Sequence, residues 1–246
     1  MSDPPLTVTT MTDTPDNRLH GIAQEHAGAA LPQSGEAPGP RISVVRGDIT
    51  AQQVEAIVTA ANEPLRGGGG VDAAVHAAAG PELLRACRAL APCPTGSAVI
   101  TPAFQLAPVR WVIHAVGPIY RGPEDADLLA SAYRSSLARA DEVGATSIAF
   151  PAISTGVYGY PAEQAAEVSV AALRAASTQV EHVLLVAFAA PMAALWQHAL
   201  DKQMLGDQER SSRGSARGSR PRSFEANPST LIGDIASTCG RSVPGS

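Results

Sequence analysis

The chain has 246 residues, 45% of them hydrophobic and 17% charged, which is typical of a soluble globular protein. Its formal net charge of -5 argues against a general nucleic-acid binder, because neutralising phosphate groups requires clustered Lys and Arg side chains. The three cysteines are odd in number and lack C-x-x-C spacing, so they indicate neither a disulfide framework nor a zinc site.

The first segment, residues 1–40, is rich in Thr, Pro, Ala and Gly and has no sustained apolar period. Such a segment cannot bury enough apolar surface to offset the entropy lost on ordering, so we expect a disordered arm. It also lacks a basic start followed by an apolar run, and no stretch of about 18 uncharged apolar residues occurs in the chain. We therefore expect neither export nor membrane insertion, and a cytoplasmic location.

Residues 41–202 alternate short apolar runs with helical periods, the pattern of an α/β domain. The predicted strands are rich in β-branched residues and bounded by turn residues; they are Ile42–Val45, Ala56–Thr59, Ala98–Thr101, Trp111–Val116, Ser147–Phe150 and Val183–Phe188. Helices fill the gaps. Apolar residues follow a 3.6-residue period over 126–143, Pro161 opens a further helix and Pro191 a last one.

From residue 203 onward the composition changes to Arg, Ser and Gly, most clearly over 211–222. A hydrophobic core cannot use such a segment, so we expect residues 203–246 to form a disordered, solvated tail. The clustered arginines leave open a contact with RNA or with an acidic partner, although Arg/Ser/Gly tails commonly serve only as solubilising linkers.

Four consecutive glycines, Gly67–Gly70, lie between the second predicted strand and a helix that opens with Asp72. Glycine loses more conformational freedom on folding than any other residue, so this run favours a functional reason: close approach of an anionic ligand to bare backbone N–H groups. Asn62 and Asp72 bracket the loop and place an amide and a carboxylate beside that ligand. Taken alone, an acid at a helix start is explained by the helix dipole, an interaction of roughly 0.3–1 kcal/mol.

A second loop, Pro151–Pro161, follows the fifth predicted strand and precedes a helix. Ligands in open α/β folds bind at the carboxyl edge of the sheet, where both loops meet if their strands are parallel neighbours. Two such loops would clamp a diphosphate through backbone N–H groups and the hydroxyls of Ser154 and Thr155, without any lysine. The chain lacks a G-x-x-x-x-G-K-[ST] sequence and lacks G-x-G-x-x-G after its first strand, which disfavours a nucleoside triphosphatase and a Rossmann oxidoreductase.

Two side chains at strand ends have both a structural and a ligand-binding interpretation. Asp48, shortly after the first strand, is either an N-cap or an acceptor for an exocyclic amine such as that of adenine. Phe188, at the end of the last predicted strand, is either a core residue or a stacking surface for a base. Structural and not catalytic roles are predicted for four further residues, which are His76, His114, Cys87 and Cys93.

Taken together, these residues resemble the macrodomain family and, within it, the MacroD-type branch. The resemblance rests on six motifs in family order between about Arg41 and Leu200; they are Gly47–Thr50, Ala60–Asn62, Gly68–Asp72, Cys93–Gly96, Val112–Pro118 and Ser154–Pro161. It implies a three-layer α/β/α sandwich around a mixed, mostly parallel sheet, with a cleft for ADP-ribose. Both terminal segments lie outside the similarity.

The resemblance also implies a role for each matched position. Asp48 would accept from the adenine amine, Ile49 would contribute a backbone donor and Phe188 would pack on the base. The diphosphate and distal ribose would be enclosed by Gly68, Gly69, Gly70 and Val71 on one side and by Ser154, Thr155, Gly156, Val157 and Tyr158 on the other. Members of this branch hydrolyse ADP-ribose attached to acidic side chains of proteins and deacetylate O-acetyl-ADP-ribose. Asn62 and Asp72 match the two polar positions tied to that activity.

For catalysis we expect Asn62 to hold the hydroxyls of the distal ribose while Asp72 orients or deprotonates a water molecule. Activation of the water by the substrate's own phosphate stays open, as does the bond that breaks, at the anomeric carbon or at the ester carbonyl. No metal and no cofactor is expected, because the loop N–H groups would steady the developing charge. The alternatives are a non-catalytic ADP-ribose reader and an RNA-binding protein that uses its tail.

Three positions depart from the family pattern. Thr59 stands where the family often has Asn, Ala73 where this branch usually has Gly, and Ala77 where it often has Arg. We expect Thr59 to be a structural change at a strand end, and the methyl group of Ala73 to narrow the distal-ribose site and lower the rate. Activity is still expected, because Asn62 and Asp72 are both present.

Overall fold

The computed structural model describes residues 39–216, which contain one six-stranded sheet and five α-helices. The strands are β1 Arg41–Arg46, β2 Ala56–Ala60, β3 Ala98–Pro102, β4 Trp111–Ala115, β5 Ser147–Phe150 and β6 His182–Ala187. The helices are α1 Gly70–Ala79, α2 Pro81–Leu90, α3 Ala126–Glu142, α4 Ala162–Arg174 and α5 Ala190–Ala216. The predicted N-terminal arm up to residue 38, and the predicted tail beyond residue 216, lie outside the described residues.

The strands form one sheet in the order β1-β6-β5-β2-β4-β3, and all neighbours are parallel except β3 and β4. The sheet is therefore mixed and mostly parallel, as predicted. Strands β2 and β5 are parallel neighbours. The two loops that follow them, each rich in glycine, consequently emerge at the same edge of the sheet.

Successive residues of the central strands point to opposite faces of the sheet and enter two separate cores. On one face, Val58 and Phe150 pack with apolar residues of α3, α4 and α5. On the other face, Ile57 and Ala149 pack with apolar residues of α1 and α2. The result is the predicted three-layer α/β/α sandwich. Within the described residues, no helix is both long enough and apolar enough to cross a membrane.

Two boundaries differ from the prediction. Strand β6 ends at Ala187, so Phe188, predicted as its last residue, lies beyond the strand and is 89% exposed. Helix α5 continues past the predicted boundary at residue 203 as far as Ala216, the last described residue. Lys202 Nζ donates to Glu167 Oε1 of α4 at 2.6 Å, and the Gln, Met and Leu residues that follow are good helix formers. The change in composition after residue 203 therefore does not coincide with an end of the helix.

A polar cluster is buried between the sheet and helices α1 and α2. His114 on β4 is 1% exposed, and its Nε2 lies 3.0 Å from Thr101 Oγ1 and 3.5 Å from Cys87 Sγ. Burial, with a smaller contribution from His76, lowers the pKa of His114 to about 3. Burial also raises the pKa of the Cys87 thiol to about 11. Both groups are therefore neutral at pH 7 and contact each other, so His114 is a satisfied core residue, as predicted.

The neutral state of His114 makes the stability of the protein depend on pH. An unfolded chain protonates this histidine below about pH 6.5, whereas the folded protein keeps it neutral down to about pH 3. The unfolded state binds more protons in this window, so the free energy of unfolding should fall with falling pH, by up to about 1.4 kcal/mol per pH unit from this group. Urea unfolding between about pH 7 and pH 4 measures the effect.

The matched comparison is His114→Gln, which keeps a polar side chain at this position but cannot titrate. We expect the variant to be less stable than wild type at about pH 7 and to lose stability less steeply as the pH falls. Comparing slopes isolates His114, because every other titrating group is common to both proteins. Identical slopes would show that His114 is protonated in the folded state as readily as in the unfolded state.

Candidate functional site

A cleft of about 840 Å³ opens at the carboxyl edge of the parallel strands, within the size range of small-molecule sites. It is lined by the segments that follow β1, β2, β5 and β6 and by the first turns of α1 and α5. The predicted ligand-binding residues all line it; they are Asp48, Ile49, Gly68, Gly69, Gly70, Val71, Ser154, Thr155, Gly156, Val157, Tyr158 and Phe188. Segments far apart in the sequence therefore meet at one site.

Backbone N–H groups are the principal hydrogen-bond donors of this cleft. Of the residues that the structure describes, no Lys or Arg lines it. Helix α1 begins at Gly70 without a side-chain cap, so its first N–H groups are available to a ligand. Across the cleft, the N–H groups of Gly156, Val157 and Tyr158 make no hydrogen bond within residues 39–216. Two sets of free donors therefore face the same space, an arrangement suited to a diphosphate.

The glycine loop is held in place by Asn62. Its Oδ1 accepts from Arg66 N at 3.1 Å, and its Nδ2 donates to Gly67 O at 2.8 Å, which uses one of its two amide hydrogens. Gly70 has φ 58°, in the left-handed region that disfavours any residue with a side chain by roughly 1–2 kcal/mol. Asn62 itself lines the cleft. It therefore both shapes the loop and presents its second amide hydrogen to a ligand.

The second loop does not offer the hydroxyls of Ser154 and Thr155 to the cleft as donors, which corrects the prediction for these two residues. Thr155 Oγ1 donates to Ala152 O at 3.0 Å within the loop. Ser154 is 5% exposed, and its hydroxyl is buried against Gly117, where any side chain would clash with it. The close approach explains why residue 117 is glycine. The free N–H groups further along the loop remain as donors.

The sequence left two roles open for Asp48, an N-cap and an acceptor for a ligand amine, and the structure is compatible with both. Its Oδ1 accepts from the N–H of Thr50 at 2.9 Å and from the Thr50 hydroxyl at 2.8 Å, which makes Asp48 the N-cap of the short helix Ile49–Ala51. The residue also lines the cleft, and its Oδ2 makes no hydrogen bond within the described chain. One carboxylate oxygen therefore fixes the turn while the other is available to an amine of a ligand.

Apolar residues line the part of the cleft formed by the end of β6 and the start of α5. Phe188 is exposed and lines the cleft, which favours a ligand-stacking role over a core role. Met192 and Leu195 on α5 lie in the lining as well, although they were not predicted as site residues. Their spacing of three residues on one helix face, directly after Phe188, is the sequence signal that could have found them.

Asp72, one of the two predicted catalytic residues, does not line the cleft. It is 2% exposed and lies beneath the glycine loop. Thr59 Oγ1 donates to its Oδ1 at 2.8 Å, and His76 Nε2 lies 3.8 Å from the same oxygen. A Cβ built on Gly68 would lie 3.4 Å from Asp72 Oδ2 and 3.7 Å from Asn62 Nδ2. Oδ2 therefore faces the position where the glycine loop has no side chain, next to Asn62.

The environment of Asp72 changes its proton affinity. Burial raises the pKa of its carboxyl group, while the Thr59 hydroxyl, the charge of His76 and the Gly68 N–H oppose the increase. A carboxylate with a raised pKa is a stronger base than an exposed one, a property common among catalytic acids and bases.

The methyl group of Ala73 does not have the predicted effect on the cleft. Ala73 is exposed and lies outside the lining, to which the next residue, Ala74, contributes instead. The expected narrowing of the distal-ribose site by Ala73 is therefore not seen. Ala77 is likewise exposed and outside the lining.

Potential metal ligands meet within the described residues at His76, Cys87 and His114, whose donor atoms lie within 4.8 Å of one another. Cys87 and His114 are buried in the core, contact each other there and do not line the cleft. The cleft itself presents one carboxylate, that of Asp48, and otherwise amide and hydroxyl groups. Its polar groups are those of an anion-binding and nucleoside-binding site.

Proteins of known family agree with this geometry. The Macro domain family model matches residues 58–169. A macro domain-containing protein of Ralstonia nicotianae is 50% identical over 167 residues, which cover 67% of this chain and 97% of that protein. The O-acetyl-ADP-ribose deacetylase of Salmonella gallinarum is 51% identical over 172 residues, which cover 66% of this chain and 96% of that protein.

Solved structures show the same fold. A variant of the Oceanobacillus iheyensis macrodomain with ADP-ribose is 40% identical, with a TM-score of 0.63, and the match covers 68% of this chain and 95% of that one. The Trypanosoma brucei macrodomain in complex with ADP-ribose is 37% identical, with a TM-score of 0.60, and covers 65% and 68% of the two chains. The architecture, the cleft and these similarities agree, and the chain belongs to the macro domain family.

Proposed function

We propose that this chain binds ADP-ribose and hydrolyses its esters, namely O-acetyl-ADP-ribose and ADP-ribose attached singly to Asp and Glu side chains of proteins. The supporting observation is the pair of free N–H sets that face one cleft lined by no described Lys or Arg, with Asn62 beside them. Relatives 50–51% identical to this chain are named O-acetyl-ADP-ribose deacetylase, and macrodomains of similar fold have been solved with ADP-ribose.

The two ends of the cleft differ, which supports one orientation of the ligand. The exposed ring of Phe188 suits an adenine base, as do Asp48 Oδ2 and Ile49 N–H, which make no hydrogen bond within residues 39–216. The free N–H groups of both loops suit the diphosphate. The distal ribose then lies at Asn62, whose remaining amide hydrogen would bind a ribose hydroxyl.

Hydrolysis requires a water molecule at that end of the cleft. The water oxygen attacks the acyl carbon or the anomeric carbon, the C–O bond of the ester breaks, and a carboxylic acid and ADP-ribose are released. Oδ2 of Asp72 faces Gly68 and Asn62, and we assign to it the orientation or deprotonation of this water. Backbone N–H groups meet the developing negative charge, so the scheme uses no metal ion.

The burial of Asp72 is the observation that favours a second candidate, a reader that binds ADP-ribose without hydrolysing it. In the structure the carboxylate is 2% exposed and lies beneath the loop. A water molecule must therefore reach Oδ2 past the backbone of Gly68. Measurement of turnover separates the two functions.

Removal of either polar side chain should abolish most of the turnover. We expect Asn62→Ala and Asp72→Ala to lower the release of ADP-ribose from O-acetyl-ADP-ribose by about 10²-fold or more, because each loses a group that acts on the ribose or on the water. The matched control is Asp201→Ala on the exposed side of α5, which should retain wild-type turnover. Release is measured by chromatography under single-turnover conditions.

Two results would overturn the assignment. Full turnover by Asp72→Ala would remove Asp72 from the mechanism. No release by wild type would contradict the proposed hydrolase and identify a reader, provided that ADP-ribose at roughly a hundredfold excess over its dissociation constant raises the free energy of unfolding by about 2.7 kcal/mol.

The variant Gly68→Ala tests whether the reacting water molecule uses the space between Asp72 and Asn62. In Gly68→Ala the added carbon lies at ordinary contact distance from Asp72 Oδ2, so we expect the variant to fold normally yet to lose about tenfold or more in kcat. Gly206→Ala on α5 is the control, because its methyl group meets nothing within 4 Å and Gly206 does not line the cleft. Unchanged kcat in Gly68→Ala would show that the space between Asp72 and Asn62 is not used.

A further inference from the structure

Thr59 is the departure from the family pattern that lies closest to the proposed chemistry. It is fully buried on β2, in register with His114 on β4. Its hydroxyl donates to Asp72 Oδ1 at 2.8 Å and thereby joins the sheet to helix α1 beneath the glycine loop. The sequence predicted only a structural change at a strand end, whereas the side chain contacts the predicted catalytic acid.

The two oxygens of Asp72 have different surroundings. Oδ1 is bound by the Thr59 hydroxyl and has His76 Nε2 at 3.8 Å. Oδ2 faces the side-chain-free position of Gly68, next to Asn62 Nδ2. A carboxylate rotates about one bond, so a hydrogen bond that fixes Oδ1 also fixes the direction of Oδ2. The Thr59 donor comes from a strand in the centre of the sheet, which holds it rigidly.

We propose that Thr59 is a positioning residue for hydrolysis, whose hydroxyl holds Asp72 Oδ1 so that Oδ2 is directed toward the distal end of the cleft. This role rests on the proposed function. The sequence pattern did not predict this role for the Thr59 hydroxyl. A hydroxyl suits it because it presents one donor from a short, branched side chain whose χ1 is restricted.

The titratable groups around this pair are few among the described residues. His76 on α1 lies 3.8 Å from Asp72 Oδ1. The donor atoms of Cys87 on α2 and His114 on β4 lie within 4.8 Å of that of His76. The Thr59 hydrogen bond favours the ionised form of Asp72 and so opposes the increase in pKa that burial causes. Loss of that bond should therefore make Asp72 harder to ionise, which gives the test a readout besides rate.

The test compares Thr59→Val, which keeps the shape but has no hydroxyl, with Thr59→Ser, which keeps the hydroxyl. With O-acetyl-ADP-ribose as substrate, we expect Thr59→Val to lower kcat by about tenfold with KM within about twofold of wild type. The acidic limb of its kcat profile should move to higher pH. Thr59→Ser should retain kcat within about threefold. Thr101→Val is the control, because its buried hydroxyl contacts His114 and not Asp72.

Thermal unfolding and ADP-ribose binding by calorimetry show whether each variant is folded. Should Thr59→Val not fold, the pair Thr59→Ser and Thr59→Ala serves instead, since these differ only in the hydroxyl and should differ about tenfold in kcat. The role of Thr59 would be overturned if wild type is active and the variants without the hydroxyl keep its kcat and its pH profile. The proposed hydrolase would then stand. An inactive wild type would overturn both.

Discussion

The geometry of the site depends on the contacts of the Asp72 carboxylate, which is buried between strand β2 and the glycine loop. Backbone N–H groups have no rotamers, so their positions are those of the loop that carries them. Asp72 lies beneath this loop beside Gly68 and is tied to the sheet by Thr59, while Asn62 binds the loop at Gly67. A rigid sheet thereby determines where flexible glycines place their donors, which is how a loop of low intrinsic order becomes a preorganised site.

The sequence predicted the features that depend on local pattern and on general topology. Alternation and β-branched residues predicted the strands, because these signals are confined to a few neighbouring residues. The two glycine-rich loops follow parallel neighbouring strands, and the carboxyl edge of such strands is where ligands bind. Every predicted ligand-binding residue consequently lines the cleft. The antiparallel direction of β3 was not predicted, since it depends on the pairing of whole strands.

Features that depend on tertiary contacts were beyond the sequence. The burial of Asp72 results from the packing of α1 on β2, and the Thr155 hydroxyl is satisfied within its own loop. Met192 and Leu195 enter the cleft because α5 begins directly after β6. The tail predicted from residue 203 is helical as far as residue 216, because a change of residue types does not by itself stop helical hydrogen bonding.

A cleft whose lining shows no lysine or arginine among the described residues, in a chain of formal net charge -5, attracts its anionic ligand only at close range. Long-range steering needs an excess of positive charge, so encounter is governed by ordinary diffusion and docking. Dipolar N–H groups lose their effect within a few ångströms and are screened little by salt once the ligand is seated. Affinity and association rate should therefore not fall as ionic strength rises, in contrast to phosphate sites built on cationic side chains.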